Sequence, residues 1–148
     1  MILEQIPEEN FIASGAEQRV YITGDKYVIK LNDTIYYASW EDYFINLLLH
    51  NYFFADTAYQ LLGFYVSNDI LYAVVQQPYI KADIMTDLKK VEDFMAANGF
   101  KLTRRHDYEN KQLGLIIEDL HDENVLTFGD LLYFIDTVFF IKPNEFWD

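Results

Sequence analysis

Apolar and polar residues alternate with a period of two on both sides of the dipeptide Gly24-Asp25. Arg19 to Thr23 and Lys26 to Leu31 are rich in β-branched and aromatic residues, and a Gly-Asp pair between two such runs predicts a β-hairpin. The period then lengthens. Phe44, Leu47, Leu48 and Asn51 recur at helical spacing after Ser39-Trp40-Glu41-Asp42, a helix start with acids in its first turn, so a helix is expected from Ser39 to Phe54. Alternation returns in Tyr59 to Val66 and Ile70 to Gln77, which flank Ser67-Asn68-Asp69 as a second hairpin. Thr86 opens an amphipathic helix with Leu88, Val91, Phe94 and Met95 on one face, and Asn98-Gly99 ends it in a left-handed turn. Beyond lie a short strand from Phe100, an irregular polar stretch around Tyr108 to Lys111, and a strand from Leu113 to Ile117. A last hairpin pairs Val125 to Thr127 with Leu131 to Ile135 around Phe128-Gly129-Asp130. The elements together describe an α+β chain of antiparallel strands, with one helix inserted after the third strand.

Composition narrows the class. A hydrophobic share of 51% with 18% aromatics argues for a packed globule rather than disorder, and 148 residues suffice for one core, shared between two sub-lobes around a cleft. The absence of Cys removes disulfides, thiolate zinc sites and cysteine nucleophiles together. No basic-then-apolar leader opens the chain, and no apolar run approaches the roughly 20 residues that span a bilayer, so a cytoplasmic location without membrane contact is expected. The formal charge of −13 opposes binding to nucleic-acid backbones, which calls for clustered Lys and Arg. The local exception is Lys101-Leu102-Thr103-Arg104-Arg105-His106, read either as a solvated strand end or as a holder of an anionic substrate.

Chemistry concentrates in IIEDLHDENVLTFGDLLYFIDT, residues 116 to 137. Phosphoryl transfer needs a carboxylate to orient or deprotonate the accepting hydroxyl, and hard oxygen ligands to hold Mg²⁺ against the phosphates. Asp119 suits the first task; Asn124 and Asp136 suit the second. Upstream, Lys30 ends the strand motif YVIK, where a lysine would reach the α- and β-phosphates, and Gly15 precedes the first strand as a phosphate-loop glycine would. Gln76-Gln77-Pro78 stands at a strand exit whose backbone could bond an adenine edge. His121 would brace the Asp119 loop through backbone hydrogen bonds, and His50 reads as a packed histidine on an aromatic helix. The aromatic series Tyr36, Tyr37, Trp40, Tyr43, Phe44, Tyr52, Phe53 and Phe54 reads as core, with any exposed part a protein interface.

The segments GAEQRVYI, YVIKLND, LLLHNYFFADTAYQLLGFY, LYAVVQQPYI, MAANGF and IEDLHDENVLTFGDLLYFIDT resemble the kinase-like domain of polyvalent proteins from phages and conjugative elements, over about Gly15 to Val138. The resemblance implies a miniature protein-kinase-like fold. Residues 1–78 would form an antiparallel N-lobe sheet with one inserted helix, and residues 79–148 a truncated C-terminal lobe. It implies ATP and Mg²⁺ as cofactors and a protein hydroxyl as acceptor, with Lys30 and Asp119 catalytic. Gly15, Lys30, Gln76 and Gln77 would bind the nucleotide, and Asn124 and Asp136 the metal. Two departures from the pattern carry expectations of their own. The acid that should pair with Lys30 is missing from the depth of the helix, leaving Glu41 and Asp42 in the first turn or Glu17 in the loop. No Gly follows Asp136, and no activation segment or helical substrate platform follows Val138, so the acceptor would dock on a partner surface, or a second copy would complete the site as a homodimer. The alternatives are a pseudokinase interaction module and an acidic DNA mimic that inhibits a host protein.

Overall fold

Four alternating segments and two strands that the sequence pattern did not predict, β1 and β2, assemble into one sheet: β1 (Ile2–Leu3), β2 (Phe11–Ser14), β3 (Gln18–Thr23), β4 (Tyr27–Asn32), β5 (Gln60–Ser67) and β6 (Ile70–Pro78). The computed structural model describes residues 2–3, 11–14, 18–23, 26–35 and 37–142. The strand order is β1-β5-β6-β4-β3-β2, antiparallel throughout except that β1 runs parallel to β5. The first hairpin pairs without a slip from Gln18 opposite Asn32 to Thr23 opposite Tyr27. The second turns at Asn68 and Asp69, both with positive φ, the backbone that a two-residue hairpin turn requires. Because β4 lies between β3 and β6 rather than at an edge, Leu31 and Val74 are sealed from water across that pair.

Helix α1 (Trp40–Phe53) starts where Ser39 accepts the backbone N–H of Asp42 at 3.1 Å, an N-cap worth about 1 kcal/mol. Tyr43 and Leu47 on its inner face pack on Ala73 and Val75 of β6, with Trp40, Phe44 and Phe64 around them in edge and stacked ring contacts. Outward-facing Tyr52 is 80% exposed and stands apart from the aromatic core expected of this segment. A 3-10 turn, Ala55–Thr57, follows.

After Pro78 the chain builds a different body. Helix α2 (Leu88–Ala97) packs with a four-stranded antiparallel sheet of order β12-β9-β8-β7, made of β7 (Lys101–Arg104), β8 (Asp107–Asn110), β9 (Leu115–Glu118) and β12 (Val138–Ile141). The hairpin β10 (Val125–Phe128) with β11 (Leu131–Phe134) stands beside it. Val91, Met95, Phe100, Tyr108, Ile117, Leu120, Val125, Phe134 and Phe139 share one core with Phe54 at the end of α1. Full burial of each large side chain there contributes roughly 1.5–3 kcal/mol.

Three sequence expectations are corrected here. The stretch around Tyr108 is a regular strand, not an irregular one: Tyr108 and Asn110 face inward, and the polar Asp107 and Glu109 face outward. Strand β12, absent from the sequence reading, pairs with β9. Helix α2 begins at Leu88, not Thr86. Asp87 caps it by accepting the N–H of Lys89 at 2.9 Å, and Thr86 is drawn inward, where its hydroxyl donates to Val125 O at 2.5 Å. Among the described residues no helix is long and apolar enough to cross a membrane.

Candidate active site

Strand β4 carries Lys30 into the interior, where the residue is 5% exposed. Its ammonium donates to the carbonyl of Ile135 at 2.8 Å and lies 5.4 Å from the centre of the Tyr59 ring. The Tyr59 hydroxyl donates to that same carbonyl at 2.8 Å. Burial first, and the nearby Asp136 charge second, push the Tyr59 hydroxyl well above the usual phenol range, so it remains a donor. On its other side the peptide of Ile135 reaches the second half of the site: its N–H donates to Asn124 O at 2.9 Å, just beyond the paired β10–β11 ladder. Ile135 is therefore the joint between Lys30 and Asn124, and Asp136 is its neighbour in the chain.

The loop before β10 places Asp119. Asn124 donates through Nδ2 to Asp119 O at 2.8 Å and to Asp119 Oδ2 at 3.3 Å. With that nitrogen committed, the atom Asn124 offers a cation is its amide oxygen. His121 Nδ1 accepts the N–H of Glu123 at 3.2 Å, and its Nε2 lies 3.1 Å from Asn124 Nδ2 and 3.5 Å from Asp119 Oδ1. Asp119 has φ +70, a left-handed backbone that costs an L-residue roughly 1–2 kcal/mol. Two bonds hold it there: Asp119 N–H to Asp107 Oδ1 at 3.1 Å and Leu120 N–H to His106 O at 2.9 Å. The carboxylate itself is 58% exposed and open to an incoming group.

Behind the site, α1 grips both flanks of Asp136. His50 is buried; Nε2–H donates to Thr57 O at 3.0 Å and Nδ1 accepts the hydroxyl of Thr137 at 2.6 Å. Burial holds its pKa down to about 3, so the ring is neutral. Asn46 Oδ1 accepts the N–H of Phe139 at 2.7 Å, and the Thr57 hydroxyl donates to Phe134 O. The segment 134–139 is thus anchored at three points by α1 and the turn after it.

The family described as Serine/Threonine/Tyrosine Kinase found in polyvalent proteins matches residues 2–143. The chain belongs to that family. No curated protein and no solved structure matches it. For a kinase-family chain the donor set suits Mg²⁺. Among the described residues no three His, Asp or Glu side chains gather as a metal cage. Asn124 and Asp136 carry hard oxygen atoms of the kind that Mg²⁺ takes together with phosphate and water.

Of the residues singled out by sequence, Lys30, Asn124, Asp136 and Asp119 form one connected array. Gly15 and Glu17 lie outside the described residues. Gln76 and Gln77 sit within β6, opposite Ile29 and Val28 of β4, and Gln77 is buried with its amide donating to Thr57 O at 2.8 Å. Glu41 is exposed at the start of α1. Tyr59, Thr137 and the carbonyl of Ile135 were not anticipated. No periodicity marks them, because their contacts with Lys30 and His50 join distant parts of the chain.

Proposed function

We propose that this kinase-family chain is an ATP- and Mg²⁺-dependent phosphotransferase acting on a protein hydroxyl, built as a miniature protein kinase and encoded by a bacterial mobile element or phage. Residues 1–78 serve as the N-lobe and 79–148 as a reduced C-lobe. The reading is supported by the order of elements: a β2-β3-β4 meander, then α1, then β5 and β6, with β6 inserted against β4. The observation that carries it is the Ile135 joint, which sets the Lys30 ammonium 2.8 Å from the carbonyl beside Asp136 and ties the same peptide to Asn124.

Lys30 steadies the phosphates from a water-poor position, where its charge acts more strongly than at a surface. Asn124 and Asp136 hold Mg²⁺, which would neutralise charge on the transferred group. Asp119, exposed and fixed by its loop, orients the acceptor hydroxyl and takes its proton. The adenine edge is assigned to the exit of β6 at Gln76 and Gln77, with Gln77 anchoring that exit through Thr57, and the phosphate-loop role read for Gly15 rests on the sequence alone. Since positioning and electrostatics supply nearly all of phosphoryl-transfer catalysis, rigid attachment of segment 134–139 to α1 bears directly on rate.

One observation favours a second reading, a pseudokinase: the Lys30 ammonium is already engaged by Ile135 O and the Tyr59 ring. The two separate in an assay of labelled γ-phosphate with Mg²⁺ and a mixed pool of Ser-, Thr- and Tyr-containing proteins. The phosphotransferase labels an acceptor, and Asp119→Asn reduces the rate about 10²-fold or more. Labelling no higher than a control without the protein, for wild type and Asp119→Asn alike, would leave the pseudokinase.

A further inference from the structure

The tight turn between β7 and β8 joins Arg104, at the end of one strand, to Asp107, at the start of the next. In a chain of charge −13 it holds two of the three arginines, side by side. Arg104 has 85% of its side chain exposed, and Arg105 is exposed with φ +37. A bulky residue rarely occupies that backbone region; Gly or Asn would sit there with less strain, so a guanidinium is carried at a conformational cost.

The turn is bound to the loop that carries Asp119. Leu120 N–H donates to His106 O, and the Asp107 carboxylate spans the gap. Its Oδ1 accepts the N–H of Asp119 at 3.1 Å, while its Oδ2 lies 3.9 Å from Arg104 Nε. His106 and His121 meet edge to face, with ring centres 5.9 Å apart. The turn that carries the two arginines is thus fixed beside the loop of an exposed carboxylate by contacts to that residue and its neighbour.

We propose that Arg104 and Arg105 dock carboxylate-rich protein segments, so that the acceptor is a hydroxyl flanked by Asp or Glu. The purpose of the docking rests on the phosphotransferase reading; the binding chemistry does not. An acidic acceptor approaching this chain meets net repulsion and the charge of Asp119 itself, and a local pair of cations offsets both. The planar fork of arginine binds a carboxylate through two parallel N–H bonds, a geometry lysine lacks. A nucleic acid is a poorer occupant. Two cations beside Asp107 and Glu118 cannot neutralise a run of phosphates, and an affinity built on counterion release needs several.

The test is fluorescence anisotropy on the full chain with three labelled probes: a Glu-Ser repeat peptide, a Gln-Ser repeat peptide and a thymidine oligonucleotide. The proteins are wild type, Arg104→Gln with Arg105→Gly, Arg105→Gly alone, and Lys89→Gln with Lys90→Gln as a control on α2. The Glu-Ser peptide should bind wild type best. It should weaken about tenfold or more in the double arginine variant, the loss expected for a charge-assisted hydrogen-bond pair, and be unchanged in the lysine control. Arg105→Gly removes a cation where glycine is favoured, so it should weaken the peptide while melting no lower than wild type. Equal binding of the Glu-Ser and Gln-Ser peptides, equal loss in the lysine control, or tighter binding of the oligonucleotide through the same arginines would overturn the proposal. Melting with ATP and Mg²⁺ on the same proteins separates the two ideas: wild type without a nucleotide shift, yet with arginine-dependent peptide binding, sinks the phosphotransferase and keeps the docking site.

Discussion

Lys30 and Asp119 belong to one candidate site but are held in opposite ways. Lys30 is 5% exposed, and its partners, Ile135 and Tyr59, come from distant parts of the chain. Asp119 has a side chain 58% exposed and is held by a short loop and the next-door turn. The difference would suit the two tasks proposed for them. Phosphates and a metal ion need charges fixed in a poorly solvated place, whereas an acceptor must arrive and leave. A buried array depends on its whole neighbourhood; an exposed carboxylate depends on its loop and the turn beside it. Substitutions at the two poles should therefore separate stability from turnover.

The largest effect expected on the buried pole is a response to acid. Above about pH 6.5, His50 is neutral folded and unfolded and adds no slope. Between 6.5 and about 3 the unfolded chain takes up a proton that the folded chain refuses, so stability falls as pH falls, by on the order of 5 kcal/mol at the bottom of the window. In denaturant titrations, His50→Leu should be the less stable protein at pH 7 and should lose that part of the slope. Parallel curves for the two proteins between pH 7 and 4 would show that the ring is not held neutral.

Next in size is Lys30→Met. It removes the buried donor to Ile135 O, so stability should fall by about 1–3 kcal/mol, the usual cost of taking one partner out of a buried polar contact. Turnover should drop about 10²–10³-fold, the usual loss for one electrostatic contact to a transferring group. A large fall in melting with turnover intact would mean the lysine is structural.

Thr137→Val leaves His50 Nδ1 without its donor and should cost about 1–3 kcal/mol in denaturant titration. No measurable loss would mean that the His50 clasp does not hold the Asp136 segment. The smallest stability effect belongs to the exposed pole. Asp119→Asn keeps a residue type that tolerates the left-handed backbone and should change stability by no more than about 0.5 kcal/mol. A loss as large as that of Thr137→Val would erase the contrast between the poles.

The sequence is legible where a pattern is local. Alternation around residues 24–25 and 67–69 gave both hairpins of the large sheet, and Ser39, read as part of the helix start, is the N-cap of α1. It fails where a strand has no alternating apolar signal. Asp107–Asn110 offers one buried aromatic among polar residues, and Val138–Ile141 is a plain apolar run that becomes a strand only through β9. The spacing of Asp119, Asn124 and Asp136 pointed to residues that the fold does join, because loop and hairpin are contiguous. The support of Lys30 was only partly legible: the sequence leaves Glu41, Asp42 or Glu17 as its acidic partner, of which Glu17 lies outside the described residues, and Ile135 O and the Tyr59 ring are contacts that only tertiary packing creates.

The central claim is that the array joined through Ile135 binds a nucleotide with its metal ion. Thermal melting with ATP and with ADP, each with and without Mg²⁺, tests it most directly on wild type and Asp136→Ala. A ligand that binds only the folded protein should stabilise wild type by about 2.7 kcal/mol at a hundredfold excess over its dissociation constant. The account predicts a Mg²⁺-dependent rise in wild type that disappears in Asp136→Ala. No rise in wild type under any of the four conditions, or an equal rise in the variant, would contradict it.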